Sequence, residues 1–177
     1  MAKHTVLITG AAGYVGGMLV RAIAAREDVE RIIGLDKEPL PDFIKGTEKL
    51  TYLQMNTADE WEGEVRKYAP DTIIHTAWQI REIYGNRPLS WKWNIDGSEK
   101  VFAFALNERQ VKRLVHYSTV ASYGAFPENT IEHRYTELEP FRTTDYLYAE
   151  EKRVAEERLE AQYKKRTNAA TVAIIRP

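Results

Sequence analysis

The sequence predicts an α/β protein with a doubly wound parallel sheet, flanked by helices in three layers. Three observations predict it. Short runs rich in β-branched residues recur along the whole chain, and helix-length amphipathic stretches separate them. The runs are near-continuously apolar instead of alternating, as parallel strands buried on both faces require. The length, 177 residues, fits one domain and is tight for two.

Thr5–Thr9 (TVLIT), Ile32–Leu35 (IIGL), Thr72–His75 (TIIH), Leu114–Ser118 (LVHYS) and Thr171–Ile175 (TVAII) read as doubly buried strands. Leu50–Met55 (LTYLQM) mixes in Thr51 and Gln54 and suits an edge strand. Helices are expected over Tyr14–Ala25, Asp59–Lys67, Leu89–Asn107 and Asp145–Lys165. The last opens acidic with Glu150 and Glu151 and closes basic with Lys164, Lys165 and Arg166, matching the helix dipole. Pro39 and Pro41 forbid a good helix in Lys37–Lys49, so an irregular crossover is expected there. Thr119–Thr144 shows neither period and carries Gly124, Pro127, Asn129 and Pro140. A loop that long inside one domain is usually functional or disordered.

Composition removes several classes of function. With 44% hydrophobic and 29% charged residues the chain is globular. A net charge of −1 leaves no electrostatic footprint for nucleic acid or an anionic membrane. Trp91-Lys92-Trp93 does not change this, because alternate residues on a helix face different directions. The chain has no cysteine, which removes disulfides, thiolate metal sites and a cysteine nucleophile. His4, His75, His116 and His133 match no metal-ligand spacing, so no metal is expected. The apolar run near the start is too short for a signal-peptide core, and no stretch approaches the roughly 18 apolar residues of a membrane span. A cytoplasmic chain is expected.

Directly after the first strand comes Thr9-Gly10-Ala11-Ala12-Gly13-Tyr14-Val15-Gly16, leading into the first helix. The first glycine makes the tight turn, the second lets a pyrophosphate approach the backbone, and the third lets the helix pack on the sheet. The free N–H groups and dipole of the helix would then hold the phosphates. A tight turn with close packing and no ligand is the alternative. Asp36 ends the second strand, where a carboxylate accepts from an adenosine ribose and repels a 2′-phosphate, favouring NAD over NADP. Lys37 beside it works the other way, and a merely solvated strand-end aspartate is the plainer reading.

Tyr148 and Lys152 form Y-x-x-x-K, a spacing that says little by itself. Their face says more. Tyr148, Lys152, Ala155, Leu159 and Tyr163 fall on one helical stripe, with Lys152 its only charge. A buried lysine needs a polar partner, unless it snorkels from the stripe's edge. An ammonium one turn from the phenol would stabilise the phenolate, so Tyr148 can exchange a proton with a substrate hydroxyl. Ser118-Thr119, at the end of the fifth strand, is placed to orient the substrate oxygen.

These residues together resemble the extended short-chain dehydrogenases/reductases, the NAD-dependent epimerase/dehydratase family. The resemblance runs through T-G-A-A-G-Y-V-G at Thr9–Gly16, Asp36, D-T-I-I-H-T-A at Asp71–Ala77 and N-I-D-G-S at Asn94–Ser98. It continues through S-T-V-A-S-Y-G at Ser118–Gly124, Y-A-E-E-K at Tyr148–Lys152 with Glu156, and the closing I-R-P. It implies a Rossmann fold with NAD held by Gly10, Ala12, Gly13 and Gly16, and Tyr14 and Val15 over the pyrophosphate. It places Asp36 and Lys37 at the adenosine ribose and Asn56 and Thr57 beside the adenine. Thr76, Ala77 and Trp78 would line the cofactor further in, with Asn94 a support near the active site. Thr119, Tyr148 and Lys152 would be the catalytic triad, the last two also touching cofactor.

A small-molecule substrate, a sugar or nucleotide sugar, is implied, as is a homodimer through the helices following the fourth and fifth strands. Val101–Leu106 (VFAFAL), apolar all round, independently asks for cover on both faces. A simple ketone or lactone reductase and a non-catalytic dinucleotide-binding scaffold are the other readings. Three departures from the family stand out. Asn56 replaces an aspartate, while Glu151 and Trp78-Gln79 replace small residues and are expected to adjoin the substrate side. The family's substrate-binding lobe beyond R-P is absent from this chain, so residues 1–177 are expected to be the cofactor-binding part of a longer enzyme.

Overall fold

The computed structural model describes residues 3–81, 85–124, 126–127, 129–132, 135–142 and 145–177. His133 and Thr144 lie outside the described residues. Six strands form one sheet: β1 His4–Thr9, β2 Val29–Asp36, β3 Leu50–Gln54, β4 Thr72–His75, β5 Arg113–Tyr117 and β6 Thr171–Ile175. All neighbours are parallel, in the order β3-β2-β1-β4-β5-β6. The chain reverses its direction of sheet growth between β1 and β4, and that switch opens a crevice at the carboxyl ends of the strands.

Alternation along the strands sends side chains to two cores. Val6, Ile8, Ile32 and Ile74 meet Val20 of helix α1 (Tyr14–Ala24) and Ile44 of the crossover. On the other face Leu7, Ile33, Ile73 and Leu114 meet helices α2 (Glu62–Arg66), α4 (Gly97–Asn107) and α5 (Leu147–Lys164). The expected crossover at Lys37–Lys49 is irregular, and β3 is an edge strand, as its mixed composition suggested.

Several expectations need correction. β6 is not doubly buried: it pairs only with β5, and Ile174 and Ile175 are exposed. The helix expected over Asp59–Lys67 shortens to α2, because the Asn56 side chain accepts from the Ala58 amide and closes a turn first. The helix expected over Leu89–Asn107 starts earlier, as α3 (Arg87–Trp91), and passes through a π-helical turn at Lys92–Asp96 before α4. Within Thr119–Thr144 a 3₁₀ turn forms at Val120–Tyr123, begun by Thr119 accepting from the Ala121 amide. Val101–Leu106 needs no second chain to cover it. Val101, Phe102, Phe104, Ala105 and Leu106 are already buried against the sheet, α2 and α5.

Candidate active site

The turn after β1 closes on itself so tightly that only glycine fits. Gly10 has φ +75°, and a Cβ there would meet the Ala77 nitrogen at 2.6 Å. A Cβ on Gly16 would stand 2.0 Å from the Gly10 carbonyl oxygen, so α1 rests directly on the turn. No side chain caps α1 and no acid sits in its first turn. Its leading amides, from Tyr14 and Val15 onward, are thus left for an anion, and this cradle fits the pyrophosphate of a dinucleotide.

A groove of about 240 Å³ runs from this turn across the switch point. Of the residues expected to hold cofactor it is lined by Gly10, Ala12, Gly13, Asp36, Lys37, Asn56, Thr57, Thr76, Ala77, Trp78 and Asn94. Tyr14, Val15, Gly16, Thr119, Tyr148 and Lys152 do not line it. Gly16 is buried under the turn, while Tyr14 and Val15 are exposed at the helix start.

Asp36 is fixed by two amides, accepting from Ala12 N at Oδ2 and from Glu38 N at Oδ1, each at 3.0 Å. Each oxygen keeps acceptor capacity for a ribose diol. Lys37 is ion-paired with Glu38 and lies 5.0 Å from the Trp93 ring centroid. Its charge is compensated, which weakens the case for a 2′-phosphate. Asn56 spends one acceptor site on Ala58 and keeps another for an adenine amino group. Thr76 donates to the Thr9 carbonyl at 2.7 Å, tying the end of β4 to β1.

Asn94, on the π turn, is a clamp. Its Oδ1 accepts from the Gln79 amide at 2.7 Å, and its Nδ2 donates to the Gln79 carbonyl at 3.1 Å and to Glu151 at 2.6 Å. Glu151 is buried and accepts from Asn94.

Thr119 and Tyr148 come together through their side chains. Burial raises the Tyr148 pKa, and the hydrogen bond with Thr119 opposes that rise. Ser118 sits apart, its hydroxyl donating to Glu156. Lys152 is 3% exposed and not the only buried charge on its helix, since Glu151 and Glu156 are buried too. Its ammonium donates to the Tyr117 carbonyl at 2.5 Å and lies 3.7 Å from the Trp78 ring centroid. Burial brings the Lys152 pKa down to about 7, with Glu156 pulling the other way. Glu156 is held by Arg176, at 3.0 and 2.5 Å, and Arg176 also donates to the Tyr123 hydroxyl at 3.0 Å. The arginine of the I-R-P run thus steadies the carboxylate that supports Lys152.

Sequence reasoning missed Glu38, Trp93 and Arg176 as parts of the site, of which Arg176 carried a signal as part of a quoted motif; Gln79, singled out only as a departure beside Trp78, lines the groove. Behind the groove, His75 contacts Thr9 at 2.6 Å and Ser98 at 2.9 Å. It stacks on His116 at 5.3 Å, and both His116 ring nitrogens are buried with no hydrogen-bond partner among the described residues. Among the described residues no group of three acidic or histidine side chains is placed to hold a metal ion, and no helix is long and apolar enough to cross a membrane.

The fold has counterparts among solved structures. The chain is similar to WbmH of Bordetella bronchiseptica in complex with NAD+ (TM-score 0.81, 22% identity, 98% of this chain and 56% of that one). It is similar to the UDP-glucose 4-epimerase of Thermus thermophilus in complex with NAD (TM-score 0.78, 25% identity, 97% and 54%). By sequence it is 26% identical over 158 residues to a vaccinia virus 3 beta-hydroxysteroid dehydrogenase/Delta 5-->4-isomerase, covering 85% of this chain and 44% of that one. The chain spans between a third and a half of the length of the curated relatives it matches. The model of the NAD dependent epimerase/dehydratase family matches residues 6–177. The glycine turn, the strand-end aspartate, the parallel sheet and that match agree: the chain belongs to the NAD dependent epimerase/dehydratase family.

Proposed function

We propose that this chain is the NAD-binding part of an oxidoreductase of the epimerase/dehydratase type, acting on a sugar carried on a nucleoside diphosphate. The observation that carries the reading is the glycine cradle at the switch point, with Asp36 fixed beside it in the same groove. NAD, when bound, supplies the acceptor for a hydride from a substrate carbinol. Gly10, Gly13 and the amides of α1 would hold the pyrophosphate, and Asp36 the adenosine ribose.

The remaining chemistry belongs to three side chains. Thr119 orients the substrate oxygen and lowers the Tyr148 pKa against the effect of burial. Tyr148 takes the hydroxyl proton and later returns one, as general base and acid. Lys152, one helical turn away, would favour the Tyr148 phenolate when protonated, and Glu156 raises the Lys152 pKa against burial. We also propose a homodimer through the helices that follow β4 and β5, with family membership as its support.

A second reading has one observation in its favour. Tyr146 and Trp78 flank Tyr148, with ring centroids 5.7 and 6.4 Å away, and such an aromatic wall suits a simpler ketone or lactone. Turnover of UDP- and dTDP-hexoses against small cyclic ketones, in the natural protein and in Tyr148→Phe, tests both. The substitution is expected to lower the rate by several orders of magnitude and to spare NAD binding. An unchanged rate would remove Tyr148 as the acid and base, and no turnover of any of these compounds by the natural protein would leave only a dinucleotide-binding scaffold.

A further inference from the structure

The inner end of the groove carries an inference that rests on the NAD-binding reading above. Trp78 leaves β4 just after Ala77, and its indole meets two members of the triad. Lys152 Nζ lies 3.7 Å from the ring centroid, and the Tyr148 ring meets it edge-on at 6.4 Å and 88°. Trp78 lines the groove, whereas Thr119, Tyr148 and Lys152 do not. The indole therefore stands between the cradle for the adenosine half of a dinucleotide and the groups that suit its reacting end. The groove that remains, about 240 Å³, is smaller than the roughly 300–1,000 Å³ of ordinary small-molecule sites.

Two further features bear on whether the ring stays there. Trp78 Nε1 is buried with no hydrogen-bond partner among the described residues, so none of them ties the indole in place that way. The Lys152 ammonium has three donors, and its hydrogen-bond partner among the described residues is the Tyr117 carbonyl. The ring face adds a cation–π contact to the field of Glu156. A ribose diol would offer that ammonium two acceptors in exchange.

We propose that Trp78 is a gate on the inner half of the groove. Its indole covers Lys152 until the second ribose of the dinucleotide displaces it, trading a cation–π contact for hydroxyl hydrogen bonds. A ligand that stops at the second phosphate has no need to move the ring. Opening the gate lowers the apparent affinity for the whole dinucleotide relative to its adenosine half.

Calorimetric titration of the natural chain, Trp78→Ala and Trp78→Phe with NADH and with ADP tests this. The ratio of NADH to ADP affinity is expected to rise about tenfold in Trp78→Ala, or about 1.4 kcal/mol, with Trp78→Phe between. An unchanged ratio overturns the gate, and a fall means that the indole holds the dinucleotide instead of excluding it. Should Trp78→Ala not fold, the natural chain labelled with 5-fluorotryptophan answers directly. It has four tryptophans, and Trp78→Phe assigns the Trp78 fluorine signal. That signal is expected to move with NADH and to stay with ADP; movement with both, or with neither, removes the gate. A natural chain that binds neither ligand refutes the NAD-binding reading itself, which is a different outcome.

Discussion

Acid should unfold this protein through the stacked histidines behind the groove. Burial brings the His75 pKa down to about 3 and His116 well below its ordinary value, with Lys152 and Arg176 opposing a further positive charge. Their folded pKa values are depressed, so the unfolded chain binds more protons and stability falls as pH falls. From about pH 7.5 to about pH 5.5, an unfolded histidine with pKa about 6.5 takes up a proton that the folded one refuses, at a cost of about 1.4 kcal/mol each. The pair therefore contributes about 2.7 kcal/mol of lost stability over that interval. Lys152, held down to about 7, adds to the loss.

His116→Leu isolates one histidine, because the Lys152 contribution is largely common to both proteins. It also removes two buried ring nitrogens that have no partner among the described residues, so the variant should match or exceed the natural protein near neutral pH. Urea unfolding at the two pH values is the assay. The variant is expected to lose about 1.4 kcal/mol less than the natural protein. Equal losses in the two proteins would refute the reasoning.

Gly16→Ala places a Cβ 2.0 Å from the Gly10 carbonyl oxygen, so it should lower stability by at least about 1–3 kcal/mol and abolish NADH binding; urea midpoints and titration report both. Asn94→Ala removes two hydrogen bonds from the Gln79 backbone and one from the buried Glu151 carboxylate, and a loss of about 1–3 kcal/mol is expected in the same unfolding assay. Glu156→Gln removes the group that raises the Lys152 pKa, so Lys152 should lose its proton at a lower pH. NMR titration of the labelled lysine checks the direction, and an upward shift would contradict it.

The parts of the fold set by local chemistry were legible in the sequence. TVLIT, TIIH and the glycine turn declare a buried parallel strand and its phosphate-binding exit, because burial on both faces and a Cβ-free turn restrict residue choice directly. What was not legible depends on partners far along the chain. The π turn at Lys92–Asp96 places Asn94 against Gln79 and Glu151, contacts that no period records. Glu151 was read as a departure beside the substrate side and Glu156 as a motif residue, and neither reading announces the buried contacts with Asn94 and Arg176. β6 looks buried by composition and is exposed, because apolar content does not report how many neighbours a strand has. The Y-x-x-x-K spacing of Tyr148 and Lys152 was visible, but the indole of Trp78 lying over Lys152 follows from one tertiary contact that the spacing does not record.

In the proposed function the groove at the switch point holds NAD by its adenosine ribose and pyrophosphate. Equilibrium titration of the chain with NADH and NADPH, followed by energy transfer from tryptophan, tests it most directly. NADH is expected to saturate at least tenfold more tightly than NADPH, and Asp36→Ala to erase that preference. Tighter NADPH binding, or a preference untouched by Asp36→Ala, would contradict the assignment.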